Sequence, residues 1–181
     1  MKSMPFHLGT SVAFSIAAVL LVGLSAQTLA QGMHHEPSVP SIKLTIQGLD
    51  GKSLDLTPEE FAALPHKAVS VFNSHTKANE SYSGVALSDL LAKVGVPQGE
   101  NVKGRMFLIG VTAEGTDKYS VLYALAEIDP SIHTGDVIVA DAMDGKKLAT
   151  DGAFKLISTE ERRPARWVRN LAKITAVQLN P

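Results

Sequence analysis

The chain contains no cysteine. Its own side chains therefore offer no disulfide, no thiolate nucleophile, no cysteine-ligated zinc or iron–sulfur cluster and no thioether-linked haem. Stability has to come from packing and hydrogen bonding. A basic surplus is missing too: 17 Lys and Arg stand against 18 Asp and Glu. General nucleic-acid binding, which needs a strong positive excess, is not expected. There is no GxSxG, no Ser-Lys motif of the β-lactamase type, no HExxH and no spaced-glycine phosphate loop before a lysine. No internal repeat is present, and the sequence assigns no catalytic residue.

Long apolar runs are scarce. The one at the N-terminus, Val12 to Val22, follows Lys2 and precedes small and polar residues ending in Thr28-Leu29-Ala30. This is the layout of a secretory signal peptide over residues 1–30, with Ala30/Gln31 as the expected cleavage point. An uncleaved anchor is the alternative, although the run falls short of the roughly twenty residues of a membrane span. Export to the periplasm or beyond is the expectation, with no membrane span after cleavage. Cleavage removes Lys2 and no acid, leaving 16 basic residues against 18 acidic. Residues 31–41, "QGMHHEPSVPS", read as a polar linker. Its "MHHE" is read as a flexible tail rather than a copper or nickel site, because a metal site needs several preorganised ligands.

Residues 42–181 are one domain by size. "IKLTIQG" alternates as a strand, and Asp50-Gly51 predicts a hairpin turn. Thr57, Pro58 and Glu60 mark a helix start with a capping box, and Pro65 ends that helix. "KAVSVFN" is a strand, "SHTKANESYSG" a polar loop, and "VALSDLLAKVG" a short helix closed by Gly95. "RMFLIGVTAEG", "YSVLYAL", "DVIVADAM", "GKKLA", "AFKLIST" and "KITAVQL" supply further strands, with one helical turn at "LAEIDP". About eight short strands and two or three short helices without regular alternation predict an α+β fold with mixed, mainly antiparallel sheets.

Four of the five arginines, Arg162, Arg163, Arg166 and Arg169, lie in "STEERRPARWVRN" beside the only tryptophan, Trp167. A helix beginning at Pro164 places Arg162, Arg166 and Arg169 on one face and Trp167 on another. Guanidinium forks match the paired oxygens of phosphate or carboxylate. Equally, Glu160 and Glu161 can neutralise part of the cluster as surface ion pairs. His75 and His133 are lone loop histidines. Asp117 and Tyr119 in "GTDKYSV" either contact a ligand at a strand start or simply form a turn.

Several segments together resemble the sulfite-oxidase-like molybdopterin-binding domains. "YSGVALSDLLAKVGV" is similar to that family's aromatic-x-Gly-Val-x-Leu-x-x-Leu-Leu segment, and "DKYSVLYALAEIDP" to its Asp-Gly-Tyr strand and turn. "VIVADAMDGKKLATDGAFKLIST" resembles its strand, Asp-Gly turn and Gly-x-x-x-Arg-Leu-Val stretch, and "RPARWVRNLAKI" its closing basic-Trp-Val segment. The resemblance runs from about Leu44 to Leu179. It implies an α+β domain holding a molybdenum–molybdopterin cofactor, with basic residues on the pterin phosphate and one cysteine thiolate on the metal. Asn73, Ser74 and His75 stand where that cysteine would fall, and asparagine or serine is a poor ligand for high-valent molybdenum compared with thiolate. No metal ligand is therefore assigned. The implied cofactor-side residues are Asn73, Ser74, His75, Asp117, Tyr119, Arg162, Arg166 and Arg169. Arg166 is the main anion contact, Tyr119 and His75 orient the ligand, and Trp167 serves for packing. The resemblance leaves three roles: pterin binding without the thiolate, within a periplasmic oxidoreductase system; a non-enzymatic module for another anionic ligand; or a partner of a periplasmic redox enzyme. Architecture carries over between such proteins more safely than activity.

Overall fold

A computed structural model of the chain describes residues 39–148 and 150–179. The expected leader and nearly all of the expected linker, including "MHHE", lie outside these residues. Ten strands and three short α-helices occur among the described residues. In order they are β1 (Leu44–Gln47), β2 (Ser53–Leu56), α1 (Pro58–Ala62), β3 (Lys67–Asn73), β4 (Ala78–Ala86), α2 (Leu87–Lys93), β5 (Ile109–Gly115), β6 (Ser120–Ala124), α3 (Leu125–Ile128), β7 (Val137–Met143), β8 (Lys146–Lys147), β9 (Lys155–Ser158) and β10 (Leu171–Gln178). One sheet runs β2-β1-β10-β5-β6. The other runs β3-β4-β7-β8, with β9 also on β7. Only β1 and β10 pair in parallel. The fold is α+β with mixed, mainly antiparallel sheets, as the composition of elements predicts.

Local chemistry accounts for the best-defined pieces. At α1 the Thr57 hydroxyl accepts from the Glu60 N–H at 3.3 Å, and the Glu60 carboxylate accepts from the Thr57 N–H at 2.9 Å. This capping box satisfies two N–H groups that a five-residue helix cannot. The Asp50-Gly51 turn closes the β1–β2 hairpin, with Gly51 at φ 74°.

Three segments differ from the sequence reading. "SHTKANESYSG" is a loop only up to Lys77, and from Ala78 it is strand β4. Its inward side chains include the polar Glu80 and Tyr82, so the apolar alternation that marks a strand is absent. "RMFLIGVTAEG" starts as a 3-10 turn over Gly104–Leu108 before β5. The helix expected from Pro164 is a single 3-10 turn, Pro164–Arg166. Beyond it Trp167 is extended, and Val168 forms a bridge to Leu156 of β9.

In the second sheet β9 and the first half of β7 are buried on both faces, and strand periodicity sorts their side chains. On β7, Val137 and Val139 enter the main core with Val85 and Leu156, while Ile138 and Ala140 point the other way. The opposite face gathers Val69, Val71, Tyr82, Ile138, Ala140, Ile157 and Trp167 into a smaller cluster. A bulge at Ser83/Gly84 inserts Asp141 into β7, which shifts the alternation and sets Met143 opposite Tyr82. Gly84 is required there, since a Cβ would lie 2.0 Å from the Val139 carbonyl oxygen.

Candidate ligand site on the second sheet

The same alternation that sorts the apolar residues assembles a polar group beside them. Asn73 follows Val69 and Val71 on the inward side of β3, and Glu80 precedes Tyr82 on the same side of β4. Lys155 shares its face of β9 with Ile157. Asn73, Glu80, Tyr82 and Lys155 therefore meet at the end of the smaller cluster. There they border a cavity of about 400 Å³ that is also lined by Met143, Asp151, Trp167 and Arg169.

Glu80 is the organising acceptor. It takes the Tyr82 O–H at 2.7 Å, the Thr76 O–H at 2.8 Å and the Asn73 amide N–H at 3.0 Å to each carboxylate oxygen. Burial pushes the Glu80 pKa up. The donors from Tyr82, Asn73 and Thr76, aided by the Lys155 charge, outweigh this and hold it below the usual carboxylate range. Burial also raises the Tyr82 hydroxyl pKa, with Glu80 adding to the effect, so Tyr82 remains a neutral donor. Asn73 spends its other end on the chain: Oδ1 accepts from the His75 N–H at 2.9 Å and the Thr76 N–H at 3.4 Å. Its side chain thus pins the turn between β3 and β4, with both ends engaged.

Lys155 has a side chain only 8% exposed. A lone buried ammonium costs several kcal/mol, so it needs partners. It donates to Asp151 Oδ2 at 2.8 Å and to the Tyr82 hydroxyl oxygen at 3.0 Å. Its nitrogen also lies 4.9 Å from the Tyr82 ring centre and 5.5 Å from that of Trp167, within cation–π range. These two rings meet edge to face at 5.8 Å, worth about 0.5–1.5 kcal/mol beyond their burial. The Trp167 indole N–H donates to the Ser158 carbonyl at 2.9 Å, which fixes the ring as cavity wall.

The expected site residues divide. Asn73, His75 and Arg169 border the cavity. Arg169 stands at its rim with a side chain 72% exposed, its Nε 4.0 Å from Asp151. Ser74 and His75 border a neighbouring shallow hollow with Arg163 and Pro164. Asp117 and Tyr119 line neither. Asp117 accepts the Tyr119 N–H at 3.1 Å in a turn, and the Tyr119 hydroxyl donates to the Ala165 carbonyl. Arg162 is exposed on the approach to the 3-10 turn.

Arg166, expected as the main anion contact, turns away from the cavity. Its Nε donates to Glu161 at 2.7 Å, its Nη1 and Nη2 each to Glu127 at 3.1 Å, and Nη1 also to the Leu122 carbonyl at 3.3 Å. The guanidinium stacks 4.2 Å from the Tyr123 ring centre. Desolvation pulls its pKa down, but Glu127 and Glu161 outweigh it and raise the value. The segment makes one 3-10 turn at Pro164–Arg166 and is extended from Trp167, so the arginines do not share the helix face expected of them. The residues that sequence reasoning missed are Glu80, Tyr82, Asp151 and Lys155. The signal was a lone charge inside the apolar run "AFKLIST" and the Glu-x-Tyr pair two residues apart, both odd for a strand unless they share a polar face.

No family model matches this chain, and no curated protein matches it. Among solved structures it is similar to the sulfane dehydrogenase SoxCD from Paracoccus pantotrophus, with a TM-score of 0.60 and 20% identity. The likeness shows the fold. It covers 81% of this chain and 40% of that one, so the chain spans less than half of that protein's length. The shared fold agrees with the α+β architecture expected from the sequence.

The residues present do not fit a molybdenum centre. The stretch where the implied thiolate would fall holds Asn73, Ser74 and His75, and the Asn73 amide is engaged at both ends. Among the described residues no three His, Asp or Glu side chains are grouped to hold a metal. The cavity offers little to a phosphate dianion either. Lys155 and Arg169 are matched by Glu80 and Asp151, so its formal charge is balanced.

Proposed function

We propose that the chain is a non-enzymatic binding module, which keeps a molybdopterin-domain-like fold and uses the cavity over Trp167 for a small organic ligand rather than a metal cofactor. The observation that carries this reading is the fate of Asn73. In the stretch where the thiolate would fall, Asn73 is an amide locked between Glu80 and the His75–Thr76 backbone. Freeing it would leave the buried Glu80 short of donors, at a cost of about 1–3 kcal/mol. A lining of Trp167, Tyr82 and Met143 with a few fixed polar groups has the make-up of a small-molecule pocket. Export, through the leader expected at residues 1–30, belongs to the same proposal, and N-terminal sequencing of the protein recovered from its host checks it.

The test is the molybdenum and pterin content of the chain purified from a host that makes the cofactor. This reading expects neither in stoichiometric amount. Molybdenum and pterin at one per chain would restore the cofactor-binding reading and a place in an oxidoreductase system.

A further inference from the structure

We infer that the cavity recognises a planar monocarboxylate, with the buried Lys155 ammonium as its carboxylate anchor; this rests on the binding-module reading above. An ammonium has three N–H groups. Lys155 gives one to Asp151 and one to Tyr82. The third has no oxygen partner among the described residues, although the side chain is nine-tenths buried and borders the cavity. A buried charged donor left over beside a cavity is an incomplete site, and an incoming oxygen completes it.

Charge selects the class of oxygen. Glu80 is saturated by Tyr82, Thr76 and Asn73, and therefore offers a ligand nothing. Asp151 already faces Lys155 and lies 4.0 Å from Arg169. A dianion such as a phosphate monoester would set two negative charges beside Asp151 in a lining whose charges already balance. One negative charge shared between Lys155 and the exposed Arg169 at the rim is accommodated. Lysine is a point donor rather than a planar fork, so it suits a single carboxylate oxygen. A cationic ligand is disfavoured as well, since the Tyr82 and Trp167 rings that would receive it already have Lys155 over them.

Shape selects the rest of the ligand. Beside Lys155 the apolar part of the wall is Trp167, Met143 and Pro164. A flat apolar body, aromatic or conjugated, fits beside an indole held fixed by its bond to Ser158.

Trp167 is the chain's only tryptophan, so its fluorescence reads the site directly. The full chain is titrated with benzoate, with its neutral isostere benzamide, and with inorganic phosphate. The expected result is a saturable benzoate response in the millimolar range or tighter, with benzamide weaker by about tenfold or more, since its acceptor oxygen carries no negative charge to pair with the ammonium. Phosphate is expected to give no saturable response. Lys155→Met is expected to weaken benzoate by about the same tenfold. If that variant does not fold, the benzoate–benzamide pair on the wild type decides alone. Equal binding of benzoate and benzamide, or no saturable benzoate response, overturns the inference. A saturable response to phosphate without one to benzoate overturns it while leaving the binding-module reading intact. Stoichiometric molybdenum and pterin would instead remove that reading itself.

Discussion

Two cations of this molecule have closely similar surroundings and opposite consequences. Arg166 lies against Tyr123 between Glu127 and Glu161, and Lys155 lies against Tyr82 and Trp167 beside Asp151, with Glu80 one bond further on. Each is a positive charge among carboxylates and aromatic rings. Arg166 is used up: Nε, Nη1 and Nη2 all donate to Glu127, Glu161 or the Leu122 carbonyl, and it ties α3 and β6 to the segment after Pro164. Lys155 keeps one donor in reserve beside a cavity. The lesson is that a charged cluster becomes a site through what its hydrogen bonds leave unmade, not through the charge itself. The cluster richest in arginine is the structural one, and the buried lysine of β9 is the one that faces the ligand.

The largest expected break in this comparison is Glu80→Ala. Asn73, Tyr82 and Thr76 would lose their common acceptor and Lys155 a nearby charge, so urea unfolding should show a loss of about 3 kcal/mol. A loss under about 1 kcal/mol would mean that the network does not organise the site.

Acid should act on both clusters. Glu80 and Glu127 each have a folded pKa below the ordinary value, as does Asp129, where burial is outweighed by bonds from Ser131 and Gly99. A depressed carboxylate stabilises the fold above its unfolded pKa, and that contribution is lost as pH falls through the folded value. The urea midpoint should therefore hold from neutrality down to roughly pH 4–5 and then decline as the pH drops further. A midpoint that rises on acidification contradicts the assignment.

Arg166→Ala comes next. Its side chain is 36% exposed, so screening reduces the effect, and a stability loss of about 1 kcal/mol is expected by thermal or urea unfolding. The smallest effect is that of Arg169→Ala at the cavity rim. Stability should stay within about 0.5 kcal/mol, while benzoate binding, read by Trp167 fluorescence, should weaken by about two- to threefold. A larger loss of binding would move the anchor from Lys155 to the rim.

Much of the fold was legible. The Thr57 cap, the Asp50-Gly51 turn, the strand "KAVSVFN" and the α+β class follow from local rules that tertiary contacts left in place. The site was less legible for one reason. β4 carries Glu80 and Tyr82 inward, so the strand with most of the polar chemistry lacks the apolar alternation by which strands are found. Asn73 was picked out through the missing cysteine, but its bond to Glu80 needs the β3–β4 register, which a misread loop concealed. Arg166 misled for a different reason. Glu161 is a near neighbour that the sequence offered, but Glu127 lies on α3, 39 residues away, and only the fold brings it to Arg166.

The central claim, that Lys155 rather than Arg166 holds the ligand, is tested most directly by titrating benzoate against Arg166→Ala and Lys155→Met side by side with the wild type, reading Trp167. The account predicts that Arg166→Ala binds within about twofold of wild type and that Lys155→Met binds about tenfold more weakly. Loss of binding in Arg166→Ala, with retention in a folded Lys155→Met, would contradict it.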